Sequence, residues 1–121
     1  MFEIFQKTIS KSISFEGIGL HSGKNSKVTI IPGKIDQGII FKRIDLKSNN
    51  LVAANYTNVS SAKLCTTLEN KHGVKISTVE HLLAALYITG VDNVIIEIDN
   101  EEVPIMDGSA KFFLMYMTKY T

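Results

Sequence analysis

The feature that most constrains the fold is a segment, residues 78–89, that has the length of a helix and contains Glu80 as its only charged residue. One side is an apolar stripe at the i, i+3, i+4, i+7 spacing, formed by Val79, Leu82, Leu83 and Leu86. The opposite side consists of one histidine and three apolar residues: His81, Ala84, Ala85 and Ile88. Because a helix that is apolar on both sides is usually buried on both sides, we expect one layer of protein against each.

The rest of the chain can supply only one of these two layers. Its 121 residues, 45% of them hydrophobic, are enough for one modest core and too few for two. We therefore expect a single domain over residues 1–121 whose second helical face is bare. We therefore expect the chain to be half of a larger protein or complex.

The remaining segments indicate strands. Residues 8–15 alternate between apolar and polar side chains, which is typical of a half-buried strand, with Ile9, Ile13 and Phe15 on the apolar side. Further strands are predicted at 27–31, 38–43, 51–54, 63–68, 74–76 and 94–98, a hairpin turn at 70–73, and a last helix at 110–117. This order predicts an α+β fold, a two-layer sandwich of one mostly antiparallel β-sheet with helices packed on one face.

Charge and cysteine content exclude several classes of function. The net charge of +1 provides no basic surface of the kind that phosphate backbones require, so we expect no nucleic-acid partner. The single cysteine, Cys65, cannot form an internal disulfide, which favours a cytoplasmic location. No apolar run approaches the roughly 20 residues of a transmembrane segment.

Glu80 and His81 allow two interpretations. Residues 77–80, Ser-Thr-Val-Glu, have the form of a capping box, which would make Glu80 a structural residue, and His81 could be a hydrogen-bonded core histidine. Alternatively, His81 is a zinc ligand and Glu80 a general base beside the metal. The spacing is not His-Glu-x-x-His, so further ligands would lie far away in the sequence. A self-contained metal site from His21, His72, His81 and Asp107 is not indicated by their spacing.

Six ordered segments resemble the motifs of UDP-3-O-acyl-N-acetylglucosamine deacetylases, the zinc-dependent enzymes of the committed step of lipid A synthesis in Gram-negative bacteria. They are GIGLHSGK at 17–24, KRIDL at 42–46, LCTT at 64–67, ISTVEHLLAAL at 76–86, DNV at 92–94 and VPIMDGSA at 103–110. The resemblance implies removal of the N-acetyl group from a UDP-linked, acylated glucosamine. It also implies two similar α+β domains whose helical layers face each other, of which this chain would be the N-terminal half.

The resemblance assigns roles to particular residues. Glu80 corresponds to the general base and His81 to the first ligand of Zn²⁺. His21 corresponds to a histidine near the mouth of the site, and Leu64 and Cys65 to a segment that lines the substrate cavity. The residues alone leave other interpretations open: His21 could be an ordinary polar loop residue, and Leu64 and Cys65 the end of a core strand.

The resemblance also implies that the chain is incomplete as an enzyme. The remaining zinc ligands, the general acid and the acyl-chain passage would belong to a missing second domain, or to a separate chain that supplies it. Because catalytic zinc requires about three protein ligands, one histidine should bind it weakly, and the chain alone should be inactive. The alternative is a catalytically inactive fragment that binds a partner through its exposed helical face.

Overall fold

A computed structural model describes residues 5–62 and 65–121. In chain order the elements are β1 (Ile13–Ile18), β2 (Asn25–Pro32), β3 (Ile39–Arg43), β4 (Leu51–Ala53), β5 (Val59–Ser61), β6 (Thr67–Glu69), β7 (Lys75–Ser77), α1 (Glu80–Thr89), β8 (Val94–Ile98) and α2 (Lys111–Tyr120). Neither helix is long and apolar enough to cross a membrane, a finding that covers only the residues described.

The main sheet has five strands in the order β1-β2-β8-β3-β4. Neighbouring strands are antiparallel except β3 and β8, which are parallel. The strands β5, β6 and β7 form a smaller antiparallel sheet. The predicted α+β sandwich is confirmed, and the smaller sheet is an addition to it.

The core lies between the main sheet and the two helices. In the central strand β8, Val94, Ile96 and Ile98 are fully buried and alternate with the half-buried Ile95 and Glu97. This alternation places three apolar side chains on the face that α1 and α2 cover. The buried residues of both helices belong to the same cluster: Leu82, Ala85, Leu86, Phe113 and Met117.

The first predicted strand is partly correct. Ile9, Ile13 and Phe15 are buried, as the alternation predicts, but the hydrogen-bonded strand β1 begins only at Ile13. The amide of Ser10 donates instead to the carbonyl of Tyr120 at the end of α2. The backbone next to Ile9 is therefore bonded to the end of α2 and not to a neighbouring strand.

The predicted strand at 63–68 differs from the observed one. Residues 63 and 64 are outside the described part, Cys65 and Thr66 are not in a strand, and β6 begins at Thr67. The backbone of Thr66 bonds to the segment before α1 instead of to a strand, because its carbonyl accepts from the amides of Thr78 and Val79. The hairpin turn at 70–73 is confirmed between β6 and β7.

Helix α1 begins two residues later than predicted. Ser77 ends β7, Thr78 has a left-handed φ of 61°, and Val79 occupies the N-cap position without a side-chain cap. The predicted end is confirmed, because Gly90 has φ 75° and its amide bonds to the last carbonyls of the helix.

The two faces of α1 differ in exposure as predicted, but Ala85 was assigned to the wrong face. Ala85 is fully buried in the core, because it lies three residues after Leu82 on the same stripe. On the outer side the described chain leaves Tyr87 86% and Ile88 64% exposed, and on α2 Met115 is 62% exposed. His81 and Ala84 are half-buried. An apolar outer face is therefore present, although it is smaller than predicted.

Candidate active site

The glycine-rich segment after β1 wraps around the carboxylate of Glu102. Oε1 of Glu102 accepts from the amides of His21 at 3.0 Å and Ser22 at 2.8 Å, and the side chain is only 4% exposed. Gly19 allows this close approach, because a Cβ at that position would lie 2.3 Å from Oε1 of Glu102. The glycine is therefore explained by the carboxylate beneath the loop.

Glu102 also binds two side chains from different parts of the chain. Its Oε2 lies 2.8 Å from Nδ1 of His21 and 2.5 Å from Oγ1 of Thr78. Burial raises the pKa of Glu102, but the hydrogen bonds from Thr78, Ser22 and His21 outweigh it and lower the pKa from 4.5 to about 2. The carboxylate is therefore ionised at neutral pH.

The beginning of α1 is capped by the backbone of Thr66. Its carbonyl accepts from the amides of Thr78 at 2.9 Å and Val79 at 3.4 Å, and its amide donates to Oε2 of Glu80 at 3.0 Å. The predicted capping box is wrong: the Ser77 hydroxyl accepts from the Thr67 hydroxyl, and Glu80 bonds to Thr66. Within the described chain, Oε1 of the half-buried Glu80 has no hydrogen-bond partner.

His81 follows Glu80 in the first turn of α1 and is half-buried. Its imidazole makes no hydrogen bond to any residue in the ranges 5–62 and 65–121, so the interpretation as a hydrogen-bonded core histidine has no support there. Those same ranges contain no group of three His, Cys, Asp or Glu side chains that could hold a metal ion, and the self-contained metal site is therefore absent from them. His81 can contribute one ligand.

Two of the predicted substrate-binding residues, His21 and Cys65, line the same cavity of about 230 Å³. It is lined by His21, Ser22, Cys65, Ser77, Glu101 and Glu102. Cys65 also adjoins Thr66, whose amide binds Glu80, so the cavity lies next to the segment that contacts the first turn of α1. Leu64, the third predicted residue, lies outside the described residues.

Three residues of this region were not predicted: Thr66, Thr78 and Glu102. Thr66 makes its contacts through its backbone amide and carbonyl, so its residue type gave no indication of them. Thr78 fell inside the predicted helix, although its φ places it before the helix. In the sequence, Glu102 is only an acidic residue immediately before the apolar segment 103–106. What distinguishes it is the hydrogen bond with His21, which lies 81 positions away.

Comparison with known proteins identifies the family. Residues 6–121 match the family model of UDP-3-O-acyl N-acetylglycosamine deacetylase (LpxC). A UDP-3-O-acyl-N-acetylglucosamine deacetylase of Wigglesworthia glossinidia brevipalpis is 51% identical over 107 residues, which cover 88% of this chain and 36% of that protein. The UDP-3-O-acyl-N-acetylglucosamine deacetylase of Shewanella baltica strain OS155 is 43% identical over 114 residues, which cover 94% of this chain and 37% of that protein.

The chain spans little more than a third of the length of these relatives, yet nearly all of it is matched. The matched residues include the glycine-rich segment, the beginning of α1 and the segment around Glu102. On this similarity, the chain belongs to the UDP-3-O-acyl-N-acetylglucosamine deacetylase family.

Proposed function

We propose that this chain takes part in the zinc-dependent hydrolysis of the N-acetyl group of UDP-3-O-acyl-N-acetylglucosamine, the committed step of lipid A synthesis, and supplies only part of the active site. The names of the relatives support the reaction and the substrate. In this proposal the remaining residues of the site come from a second domain or a separate chain, and the coverage of only 36–37% of those proteins supports it. A cytoplasmic location is part of the proposal.

The observation that carries the proposal is the pair Glu80–His81 in the first turn of α1. The His81 imidazole is half-buried and has no hydrogen-bond partner within the described chain, so its nitrogen is available to a metal. A single donor fits a zinc site whose other ligands lie outside this chain. When bound, zinc supplies a Lewis acid that polarises the carbonyl of the acetamide.

Glu80 acts as the general base. Its Oε2 accepts from the Thr66 amide, which holds the carboxylate in one orientation and leaves Oε1 to take a proton from the attacking water. The Thr66 amide is therefore a positioning group for the base.

His21, Leu64 and Cys65 contact the substrate in this proposal. His21 and Cys65 share a cavity of about 230 Å³, below the roughly 300 Å³ at which ligand pockets usually begin, and far too small for a UDP-linked sugar. The cavity is thus proposed as a subsite for one part of the substrate.

The second candidate function is that of a catalytically inactive fragment that binds a partner through its outer helical face. Exposed apolar side chains favour it: Tyr87 and Ile88 on α1 and Met115 on α2. Large exposed apolar surfaces mark interaction sites.

The two candidates are separated by co-expression with the portion of the Wigglesworthia relative that this chain does not match. The readouts are acetate released from UDP-3-O-acyl-N-acetylglucosamine and zinc content of the purified complex. Acetate release with one zinc per pair supports the deacetylase. A stable complex without release, when the intact relative is active in the same assay, supports the binding fragment and overturns the first proposal.

A further inference from the structure

Glu102 has no part in the reaction as proposed, yet it is the most extensively bonded carboxylate of the described chain. Four donors converge on it: the amides of His21 and Ser22, the ring of His21 and the hydroxyl of Thr78. Its backbone is fixed as well, because its carbonyl accepts from the buried Ser26 hydroxyl at 2.7 Å and the residue bridges to Ser77. The carboxylate is therefore a rigid point between the glycine-rich segment and the beginning of α1.

The contact with the imidazole determines which nitrogen of His21 carries the proton. An ionised carboxylate only accepts hydrogen bonds, so Nδ1 of His21, 2.8 Å from Oε2, must donate. In the other tautomer two acceptors would face each other at that distance. Neutral His21 therefore has its proton on Nδ1, and Nε2 remains an acceptor on a side chain that is 39% exposed and lines the cavity.

The contact with Thr78 connects the same oxygen to the first turn of α1. Thr78 has φ 61°, a conformation that costs a non-glycine residue free energy and persists only when its surroundings hold it. The hydroxyl of Thr78 donates to Oε2 of Glu102, and its amide donates to Thr66. Two residues later the chain reaches Glu80, so this conformation sets the direction in which the helix begins.

We propose that Glu102 is a positioning residue, which fixes His21 as the Nδ1–H tautomer with Nε2 directed at the cavity and ties His21 to the beginning of α1. The importance of this arrangement for substrate rests on the proposed function; the tautomer itself does not. Carboxylate–histidine pairs of this kind fix ring orientation and tautomer in many sites.

The variant that tests the pairing is Glu102→Gln, which keeps the size of the side chain. One amide oxygen can still accept from the loop amides, but the NH₂ group would then face Nδ1 of His21, and a donor facing a donor is unfavourable. The ring should therefore change to the Nε2–H tautomer. Glu101→Gln is the matched control, since it removes the same charge from the same cavity without a side-chain hydrogen bond to His21.

The measurement is the ¹⁵N spectrum of the imidazole rings in histidine-labelled chain, alone or in its complex, at a pH of about 8, where an ordinary imidazole is neutral. The chain has three histidines, and His21→Gln identifies the signal of His21. We expect Nδ1–H in the unsubstituted chain and in Glu101→Gln, and predominantly Nε2–H in Glu102→Gln. A predominant Nε2–H form in the unsubstituted chain overturns the proposal, whether or not Glu102→Gln folds.

A second readout separates positioning from general structural support. In the active complex, loss of a group that orients a site residue typically costs 10–100-fold in activity, so we expect kcat/KM to fall by about that factor in Glu102→Gln with zinc content unchanged. An unchanged kcat/KM in folded Glu102→Gln would contradict the proposal. If the complex is inactive even without substitutions, the deacetylase proposal fails, while the tautomer measurement still decides the role of Glu102 toward His21.

Discussion

The amide of Thr66 donates to Oε2 of Glu80 at 3.0 Å, and the carbonyl of Thr66 accepts from the amide of Thr78. One backbone unit thus caps the helix and orients the proposed base. A substitution that removes both carboxylate oxygens of Glu80 removes this structural contact together with the proposed base, so two variants are needed to separate the effects.

Glu80→Gln and Glu80→Ala should differ in stability but not in the loss of turnover. Neither side chain is a base, and loss of a general base typically costs 10²–10⁴-fold in kcat. Glutamine retains an oxygen for the Thr66 amide, whereas alanine leaves that half-buried donor unpaired, at about 1 kcal/mol. Turnover of the completed protein and thermal unfolding check this; near-normal kcat in either variant would show that Glu80 is not the base.

His81→Ala should lose zinc as well as turnover, because the imidazole is the one proposed ligand on this chain. Metal analysis of the completed protein after dialysis is the measurement, with Glu80→Gln as the variant expected to keep zinc. His72→Ala is a control on an exposed histidine in the turn between β6 and β7. Equal zinc content in His81→Ala and the unsubstituted protein would remove His81 from the site.

The pKa of Glu102 predicts how stability depends on pH. Because the pKa falls from 4.5 to about 2 on folding, the carboxylate contributes stability above pH 4.5 that is lost as the pH falls toward 2. The shift corresponds to at most about 3 kcal/mol. Asp45, whose pKa is lowered by its hydrogen bond from Arg43, contributes in the same direction.

The contribution of Glu102 is isolated by comparing variants. The free energy of unfolding of Glu102→Gln should fall less between pH 4.5 and 2 than that of the unsubstituted chain. Urea unfolding at several pH values measures this. Parallel curves for Glu102→Gln and the unsubstituted chain would show that Glu102 is not held as the structure has it.

The sequence predicted what depends on periodicity and local turns. The α+β sandwich, the central strand at 94–98 and the end of α1 at Gly90 follow from apolar spacing and a helix-terminating glycine. The family resemblance assigned His21 and Cys65 to substrate contacts, and in the structure both residues line one cavity.

What the sequence did not predict depends on long-range contacts. The beginning of α1 was misplaced because Ser77 and Glu80 satisfy the pattern of a capping box, while the actual cap is the backbone of Thr66. Glu102 was missed because its role arises from partners 24 and 81 positions away. A local sequence pattern cannot predict contacts between such distant residues. A backbone carbonyl can cap a helix whatever its side chain is, so this cap could not be recognised from residue types.

The left-handed conformation of Thr78 predicts an inverted order of two substitutions. Thr78→Ala and Thr78→Gly both lose the hydroxyl that donates to Glu102, but only alanine retains a Cβ at φ 61°. We expect both variants to be destabilised, with Thr78→Gly more stable than Thr78→Ala by about 1 kcal/mol. Denaturant unfolding measures the difference. At an ordinary backbone position alanine would be the more stable, so that order here would show that Thr78 is not left-handed.

The outer face of the helices predicts self-association of the isolated chain. Ile88 is 64% exposed and borders an apolar groove of about 350 Å³ between α1 and α2, so a second molecule can bury this surface. Ile88→Ser should weaken the association, whereas Ile35→Ser, on a 78% exposed residue after β2, should not, although it removes as much apolar side chain. Sedimentation at increasing concentration measures both. Equal weakening by the two substitutions would mean that the chains associate through general hydrophobicity, and an unsubstituted chain that stays monomeric would show that this face alone does not bind a second copy.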